Sequence, residues 1–115
     1  MTASVAGLPP ERLPSRGRSF VSELRKSIVG GPVVAGSVAA AQATEVLLDA
    51  IARSDGTRAS VVRELFRTRV SNGILGSFSF DRNGDTSAGR ITIYRIVGGA
   101  PAIFRVITPS VSLVR

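Results

Sequence analysis

Acidic and amide side chains recur at alternate positions in one short stretch of this 115-residue chain. Asp81, Asn83 and Asp85 have the spacing of the first, third and fifth residues of a calcium-binding loop. Such a loop needs glycine at its sixth position and a bidentate glutamate at its twelfth, which here are Thr86 and Thr92. Aspartate, asparagine and glycine are also the usual residues of a turn between strands. The pattern therefore favours a turn over a metal site.

Residues suited to acid–base or nucleophilic chemistry are scarce. The chain has no histidine and no cysteine, which removes the commonest general base, the thiolate nucleophile and the usual ligands of zinc. Glu45 and Asp49 could form a carboxylate pair, but a solvated helix face explains them better. Neither Gly30–Gly31 nor Gly98–Gly99 has the lysine of a phosphate-binding loop. We predict no catalytic residue, no metal and no cofactor, and we assign no ligand-binding residue from these patterns.

The positive charge could serve a nucleic-acid partner. The net charge is +7, and the densest basic run contains Arg12, Arg16, Arg18, Arg25 and Lys26. A phosphate-contacting arm would use this run, Arg12–Lys26, as a small basic module. The remaining arginines scatter over every predicted element, so a solvated helix face and its lead-in are the simpler interpretation. Nucleic-acid binding is kept as the alternative function.

Composition indicates one folded domain. Hydrophobic residues make up 43% of the chain and charged residues 20%, which is typical of a globular protein. No apolar stretch approaches the roughly 20 residues that span a bilayer. The first ten residues lack the charged start and apolar run of a signal peptide, so the chain as written is expected to be cytoplasmic.

Hydrophobic periodicity predicts about three helices between a short first strand and a set of later strands. Thr2–Ala6 is a candidate strand, and three prolines follow it. Helices are predicted over Ser15–Ser27, over Val38–Arg53, and from a cap at Thr57 to a point near Thr68.

The two later helices are predicted to bury specific apolar rows. In the second helix the inward row is Ala40, Ala43, Leu47, Ala50 and Ile51, and the solvated row is Gln42, Glu45, Asp49 and Arg53. In the third helix the inward stripe is Ala59, Val62 and Phe66, widened by Val61 and Leu65.

The period then changes from 3.6 to 2, which predicts strands. Ser71–Gly73 has the residues of a turn, and a strand is expected from Ile74 to Phe80. A second strand, Arg90–Val97, is rich in β-branched residues, and Gly98–Gly99 is suited to a tight hairpin. The partner strand is predicted over Ala102–Ile107, before Pro109 and a short apolar tail over residues 111–115.

An ordered series of motifs resembles a known family. The alanine-rich run AAQATEVLLDAIARS, the Gly73-Ile74-Leu75-Gly76 turn, the Phe80-Asp81-x-x-Gly84-Asp85 turn and the strand ITIYRI occur in that order. The series resembles the C-terminal part of the branched-chain amino-acid binding proteins, which are type I periplasmic solute-binding proteins of ABC importers. GLPPERLPSRGRSFVSELRK is similar to the family's lead-in helix, so the resemblance covers roughly residues 4–99.

The resemblance implies a partial fold and a non-enzymatic role. It implies an α/β, type I periplasmic-binding-protein-like fold, incomplete here, with about three helices followed by a β-hairpin or three short strands. Family members are much longer and clamp an amino acid between two lobes. The clamp residues of the first lobe would lie upstream, and the tyrosine that often precedes Ala-Ala-Gln is Ala39 here.

Several expectations follow from this resemblance. Residues 1–14 are a lead-in, 15–99 the binding-protein-like portion, and 100–115 an extra strand and tail. The function is that of a truncated amino-acid-binding-like protein of an importer or sensor, which does not bind ligand alone. An amino-acid ligand and an ABC permease are partners only in a full-length context, where the family is extracytoplasmic. Alone, the chain is expected to expose apolar surface and to self-associate.

Overall fold

The structure is a computed structural model that describes residues 1–87 and 89–109. The predicted tail, residues 111–115, lies outside this part of the chain. In chain order the elements are β1 (Thr2–Ala6), a 3-10 turn (Pro10–Arg12), α1 (Ser15–Ser27), α2 (Ala35–Arg53), α3 (Arg58–Arg67), β2 (Arg69–Gly73), β3 (Gly76–Ser79), β4 (Ile91–Val97) and β5 (Ala100–Ile107).

The strands form two separate antiparallel sheets. The first has the order β1-β4-β5, so the first strand of the chain pairs with the fourth. Its β4–β5 hairpin turns at Gly98 and Gly99, which both have positive φ, as the sequence predicted. The second sheet is the β2–β3 ribbon. The predicted α/β class, with three helices and a later hairpin, is confirmed.

The helix limits come from local signals. α1 spans the residues predicted for it and begins directly after Pro14. Proline has no backbone N–H, so it is well tolerated at the start of a helix. The Thr57 side chain accepts a hydrogen bond from the Ser60 N–H at 3.2 Å, which is the predicted cap of α3. α2 begins three residues earlier than expected, at Ala35.

The core lies where α1 and α2 meet the turn between β2 and β3. Its buried side chains are those of Leu13, Val21, Val33, Val38 and Ile74. None of these residues belongs to the β1-β4-β5 sheet. The helices and the β2–β3 ribbon therefore form the packed body, and the three-stranded sheet extends from it.

The predicted turn at Ser71–Gly73 is wrong. These residues belong to β2, and the turn falls at Ile74 and Leu75, which were expected to begin a strand. Burial explains the shift, because Ile74 is only 2% exposed and inserts into the core. The register of the β2–β3 pair shifts between Val70 and Gly73, and Asn72 in this interval has a φ of 52°. Its N–H donates to the Ser77 side chain at 3.0 Å.

The predicted inward face of α2 is also wrong. The buried row is Val38, Gln42, Val46 and Ala50. Apart from Ala50, the predicted row is exposed, and Leu47 keeps 44% of its surface in contact with solvent. The buried row faces the turn between β2 and β3, where Gln42 accepts a hydrogen bond from the Leu75 N–H, and the larger Leu47 and Ile51 stay at the surface.

The predicted stripe of α3 is exposed at Ala59, Val62 and Phe66, while Val61 and Leu65, which widen it, are half-buried. Val62 and Phe66 are exposed, and Ser60 is the buried residue of this helix. The Asp55 N–H donates to the Ser60 hydroxyl at 3.2 Å, so the buried oxygen has a partner.

The molecule is extended for its length. Its radius of gyration is 16.1 Å, against about 13 Å for a compact domain of this size. Its accessible surface is 7960 Å², about 2,000 Å² more than a compact monomer of this mass exposes. No helix within residues 1–87 and 89–109 is long and apolar enough to cross a membrane.

Candidate functional site

Gln42 is the polar residue that links the helices to the β2–β3 turn. It lies in the middle of the buried α2 row and is 3% exposed. Its Oε1 accepts a hydrogen bond from the Leu75 N–H at 3.1 Å, and its Nε2 donates to Glu45 at 3.3 Å. Glu45 in turn accepts from the Arg16 guanidinium at 2.9 Å. This chain of hydrogen bonds fixes the turn against α2 and α1.

Two glycines let this turn come close to the helices. A Cβ on Gly73 would overlap the Gln42 Oε1 and would lie 2.6 Å from Val70. A Cβ on Gly17 in α1 would overlap the Ile74 carbonyl oxygen and would lie 2.9 Å from Leu13. The family-like turn Gly73–Gly76 therefore packs against both helices, which gives it a structural role.

A polar groove of about 340 Å³ opens beside Gln42. It is lined by Arg16, Gln42, Glu45, Val46, Asp49, Thr68, Arg69, Val70 and Ser71. Three of its four charged side chains form ion pairs, because Arg16 pairs with Glu45, and Asp49 pairs with Arg53, while Arg69 forms none among the described residues. Most of the charge in this groove is therefore engaged within the protein, and the groove is open to solvent.

An apolar groove of about 400 Å³ lies on the other side of Gln42. It is lined by Ala39, Gln42, Ala43, Val46, Leu47, Leu65, Leu75, Phe78, Phe80 and Thr86. The Phe78 and Phe80 rings meet edge to face, with centroids 5.9 Å apart. An aromatic and aliphatic lining is suited to an apolar side chain or to another protein segment.

A second polar network joins α2 to α3. Arg53 donates to the Thr68 hydroxyl at 2.8 Å and lies 3.5 Å from the Glu64 carboxylate. The Thr68 hydroxyl donates to the Glu64 carbonyl oxygen at 2.8 Å. Arg67 pairs with the same Glu64 side chain at 3.2 Å. These contacts hold the two helices together and leave Glu64 committed to structure.

The connection between α2 and α3 carries a perturbed carboxyl group. Hydrogen bonds from the Thr57 side chain and backbone N–H hold the pKa of Asp55 below its ordinary value. The two bonds are 2.6 and 2.9 Å long. Asp55 is solvent-exposed and stabilises the start of α3, which gives it a local structural role.

The basic run is largely bound to the protein itself. Arg16 pairs with Glu45, Arg18 donates to the Leu13 carbonyl oxygen at 2.7 Å, and Lys26 pairs with Glu23 at 2.7 Å. These partners occupy three of the five bases in Arg12–Lys26. The structure therefore does not favour the nucleic-acid alternative.

The acidic stretch 81–85 is a turn in the structure. The Asp81 carboxylate accepts hydrogen bonds from the N–H groups of Asn83 and Asp85, at 2.8 and 3.0 Å. The Asp81 N–H donates to the Asp85 carbonyl oxygen at 2.9 Å. One carboxylate oxygen is thus engaged in holding the turn. Within the described residues no group of three or more acidic side chains is placed to hold a metal ion.

The comparisons with known proteins identify the fold. No protein-family model matches the sequence, and no curated protein matches it. A search of solved structures matches a type I periplasmic binding protein, so the chain has part of that fold and the sequence resemblance is confirmed. The matching structure is a leucine-binding protein from Thermotoga maritima, with a TM-score of 0.78 and 25% sequence identity.

The match covers very different shares of the two chains. It covers 95% of this chain and 31% of the leucine-binding protein. The chain therefore spans about a third of that protein, which is consistent with its C-terminal part. The matched neighbour is a binding protein rather than an enzyme.

Sequence reasoning missed the role of Gln42, which it placed on a solvated face. The signal that could have found it is the i, i+4 spacing of Val38, Gln42, Val46 and Ala50. The row that contains Leu47 and Ile51 is the more apolar of the two, so this spacing alone does not select the buried face.

Proposed function

We propose that this chain supplies one wall of an amino-acid-binding clamp and has no enzymatic activity. The observation that carries the proposal is the structural match to a leucine-binding protein over 95% of the chain. The apolar groove beside Phe78 and Phe80 is compatible with a ligand that has an aliphatic side chain. The division into residues 1–14, 15–99 and 100–115 belongs to the same proposal. The β4–β5 hairpin crosses its second boundary.

The wall is not competent to bind ligand alone. A small-molecule site buries most of its ligand and places a few polar groups around it. Here both grooves beside Gln42 are open, and three of the four charged side chains of the polar one, Arg16, Glu45 and Asp49, are already in ion pairs. An amino acid bound at this surface would keep much of its area in water, so a second wall is required.

The wider role follows from the class of protein. In a complete clamp the partners would be an amino acid and the permease of an ABC importer, or a sensor that reads the bound ligand. The site of action would then be extracytoplasmic. These elements are inferred from the fold class and from the leucine named for the matched protein.

Calorimetry on the isolated chain tests this proposal. Titration with leucine, isoleucine and valine is expected to give no saturable heat at low millimolar ligand, because only one wall is present. Aspartate serves as a control for heats of dilution and non-specific binding to the +7 chain. Binding of leucine with 1:1 stoichiometry and micromolar affinity would contradict the claim that a second wall is needed.

A further inference from the structure

The outer face of α3 carries a narrow apolar stripe between arginines. The stripe consists of Ala59, Val62 and Phe66, and we call it the α3 stripe. All three residues are exposed, and Val62 and Phe66 keep 44% and 46% of their surface in contact with solvent. The three lie within about 60° of one another around the helix axis. None of them lines the apolar groove beside Gln42.

Arginines flank the α3 stripe on both sides. Arg58 lies about 40° from Val62 around the helix axis, and Arg63 lies about 40° from Ala59 on the other side. Both arginines are exposed, and neither forms an ion pair with another described residue. Apolar side chains between basic ones on an exposed helix are typical of a helix that lies on a membrane surface.

We propose that the outer face of α3 docks on a membrane surface that contains anionic phospholipid. The α3 stripe enters the boundary between headgroups and acyl chains, and Arg58 and Arg63 contact the lipid phosphates. The proposal goes beyond the clamp described above and does not depend on it.

The inner side of α3 holds the helix on the body, so that the outer face is left free. Ser60 is 5% exposed, and its hydroxyl accepts a hydrogen bond from the Asp55 N–H. Glu64, on the same inner side, pairs with Arg53 of α2 at 3.5 Å. The helix is therefore folded and anchored before it meets a surface, which reduces the entropy that docking costs.

The Phe66 ring is held in place at the end of the α3 stripe. A Cβ on Gly84 would lie 3.8 Å from this ring, so the ring packs against the backbone of the 81–85 turn. Leu65, Phe66, Phe80 and Gly84 line an apolar pocket of about 180 Å³. A ring that is packed on one side and exposed on the other can insert into lipid without losing much rotamer freedom.

The charge on α3 favours an anionic surface. The helix has three arginines and one glutamate. Two carboxylates close to it in sequence are bound within the protein, because Glu64 pairs with Arg53 and Arg67. The other, Asp55, accepts hydrogen bonds from Thr57. The two arginines that flank the stripe therefore remain available for lipid phosphates, and each strengthens binding to an anionic bilayer about fivefold.

The size of this face favours lipid over a protein partner. A helix of ten residues is about 15 Å long and about 10 Å across. A standard protein interface takes about 800 Å² from each partner, which is several times the outer face of such a helix. A lipid surface needs only a few inserted side chains and opposite charge. A nucleic acid would contact the arginines alone and leave the α3 stripe uncovered.

Vesicle sedimentation with the full chain tests the docking. The chain is expected to sediment with vesicles of equal parts of phosphatidylcholine and phosphatidylglycerol, and to stay in solution with phosphatidylcholine alone. Arg58→Gln combined with Arg63→Gln is expected to weaken binding roughly 25-fold, about fivefold for each charge. Val62→Ser is also expected to weaken it, because the stripe is the inserted part. Circular dichroism checks that each variant keeps its helix content.

Arg12→Gln combined with Arg25→Gln is the matched control, since it removes the same charge from exposed positions outside α3. It is expected to weaken binding less than the Arg58 and Arg63 changes do. Equal losses would overturn the proposal, because net charge alone would then drive the binding. No binding to the anionic vesicles at low salt would also overturn it. Binding of duplex DNA or of an acidic protein through Arg58 and Arg63, with vesicles left unbound, would assign the face to that partner.

Tryptophan fluorescence tests which element enters the membrane, because the natural chain has no tryptophan. The emission of Phe66→Trp is expected to shift to shorter wavelength with the anionic vesicles and to be quenched by lipids with brominated acyl chains. Phe104→Trp is the control, since Phe104 is 50% exposed but lies in β5. Its emission is expected to stay unchanged. Equal quenching of the two probes, or a bound chain with no quenching of Phe66→Trp, would overturn α3 as the docking element.

Discussion

Gln42 shows how one side chain can determine the position of a whole turn. Its carbonyl oxygen accepts the Leu75 N–H, and its amide reaches the Glu45–Arg16 pair. The turn holds Ile74 in the core, so the hydrogen bonds of Gln42 and the burial of Ile74 support each other. Because it is buried, a change at this residue should reach beyond its own contacts.

Gln42→Ala is expected to lower the free energy of unfolding by about 1–3 kcal/mol, because it leaves the Leu75 N–H without its protein acceptor. The measurement is urea unfolding at fixed protein concentration. Ser22→Ala on the exposed face of α1 is the control and should change stability by less than about 0.5 kcal/mol. If the two variants are equally stable, the hydrogen bond from Leu75 to Gln42 does not stabilise the fold.

The sequence predicted some residues well and others poorly for one physical reason. Thr57 was predicted correctly because a helix cap depends on a few neighbouring residues. Gln42 was placed wrongly because its burial depends on a turn about 30 residues away. The ligand-binding residues stay unassigned for a similar reason, since a clamp site depends on two walls that lie far apart in sequence.

At the scale of elements, the α2–α3 connection is a compact polar cap. Asp55 accepts two hydrogen bonds from Thr57, and Thr57 accepts from the Ser60 N–H. The low pKa of Asp55 follows from the first of these interactions. The cap links the protonation state of one carboxyl group to the stability of α3.

The pH dependence of this cap can be measured against Asp55→Asn. Since folding lowers the pKa of Asp55, its contribution is complete above the pKa of the unfolded chain, near pH 4. It is lost as pH falls through the folded pKa. The stability difference between the natural chain and Asp55→Asn should therefore shrink from pH 6 to pH 2. Glu11→Gln is the control, and a constant difference for Asp55→Asn would contradict the assignment.

Element limits were easier to predict than element faces. Pro14 and the Gly98–Gly99 pair act through local backbone geometry, so α1 and the β4–β5 hairpin match their predictions closely. The inward face of α2 depends on what packs against it, and an alanine-rich helix offers several similar faces. The turn at Ile74 was missed because burial of this side chain outweighed the turn signal at Ser71–Gly73.

At the scale of the whole molecule, the packed body and the β1-β4-β5 sheet differ in how much hydrophobic core stabilises them. The core residues lie in the body, while the sheet has its own hydrogen bonds and an Arg95–Phe104 contact at 4.0 Å. The Thr92 hydroxyl donates to the Gly7 carbonyl oxygen at 2.7 Å, which ties β4 to the residue that follows β1. The sheet should thus open at a lower free energy than the body.

Hydrogen exchange followed by mass spectrometry tests this difference. Peptides from β4 and β5 are expected to exchange faster than peptides from the buried rows of α1 and α2, under conditions where the whole chain stays folded. Thr92→Val, which removes the bond to Gly7, should speed exchange in the sheet and leave the helices unchanged. Equal protection of the sheet and the helices would show that the chain unfolds as one unit.

The central claim is that the chain is one wall of a solute clamp, and supplying the other wall tests it most directly. The measurement is the leucine affinity of a chimera in which this chain replaces the matching 31% of the Thermotoga leucine-binding protein. The account predicts saturable leucine binding by the chimera and none by this chain or by the truncated neighbour alone. Leucine binding by this chain alone as tight as by the chimera, or a chimera no better than the truncated protein, would contradict it.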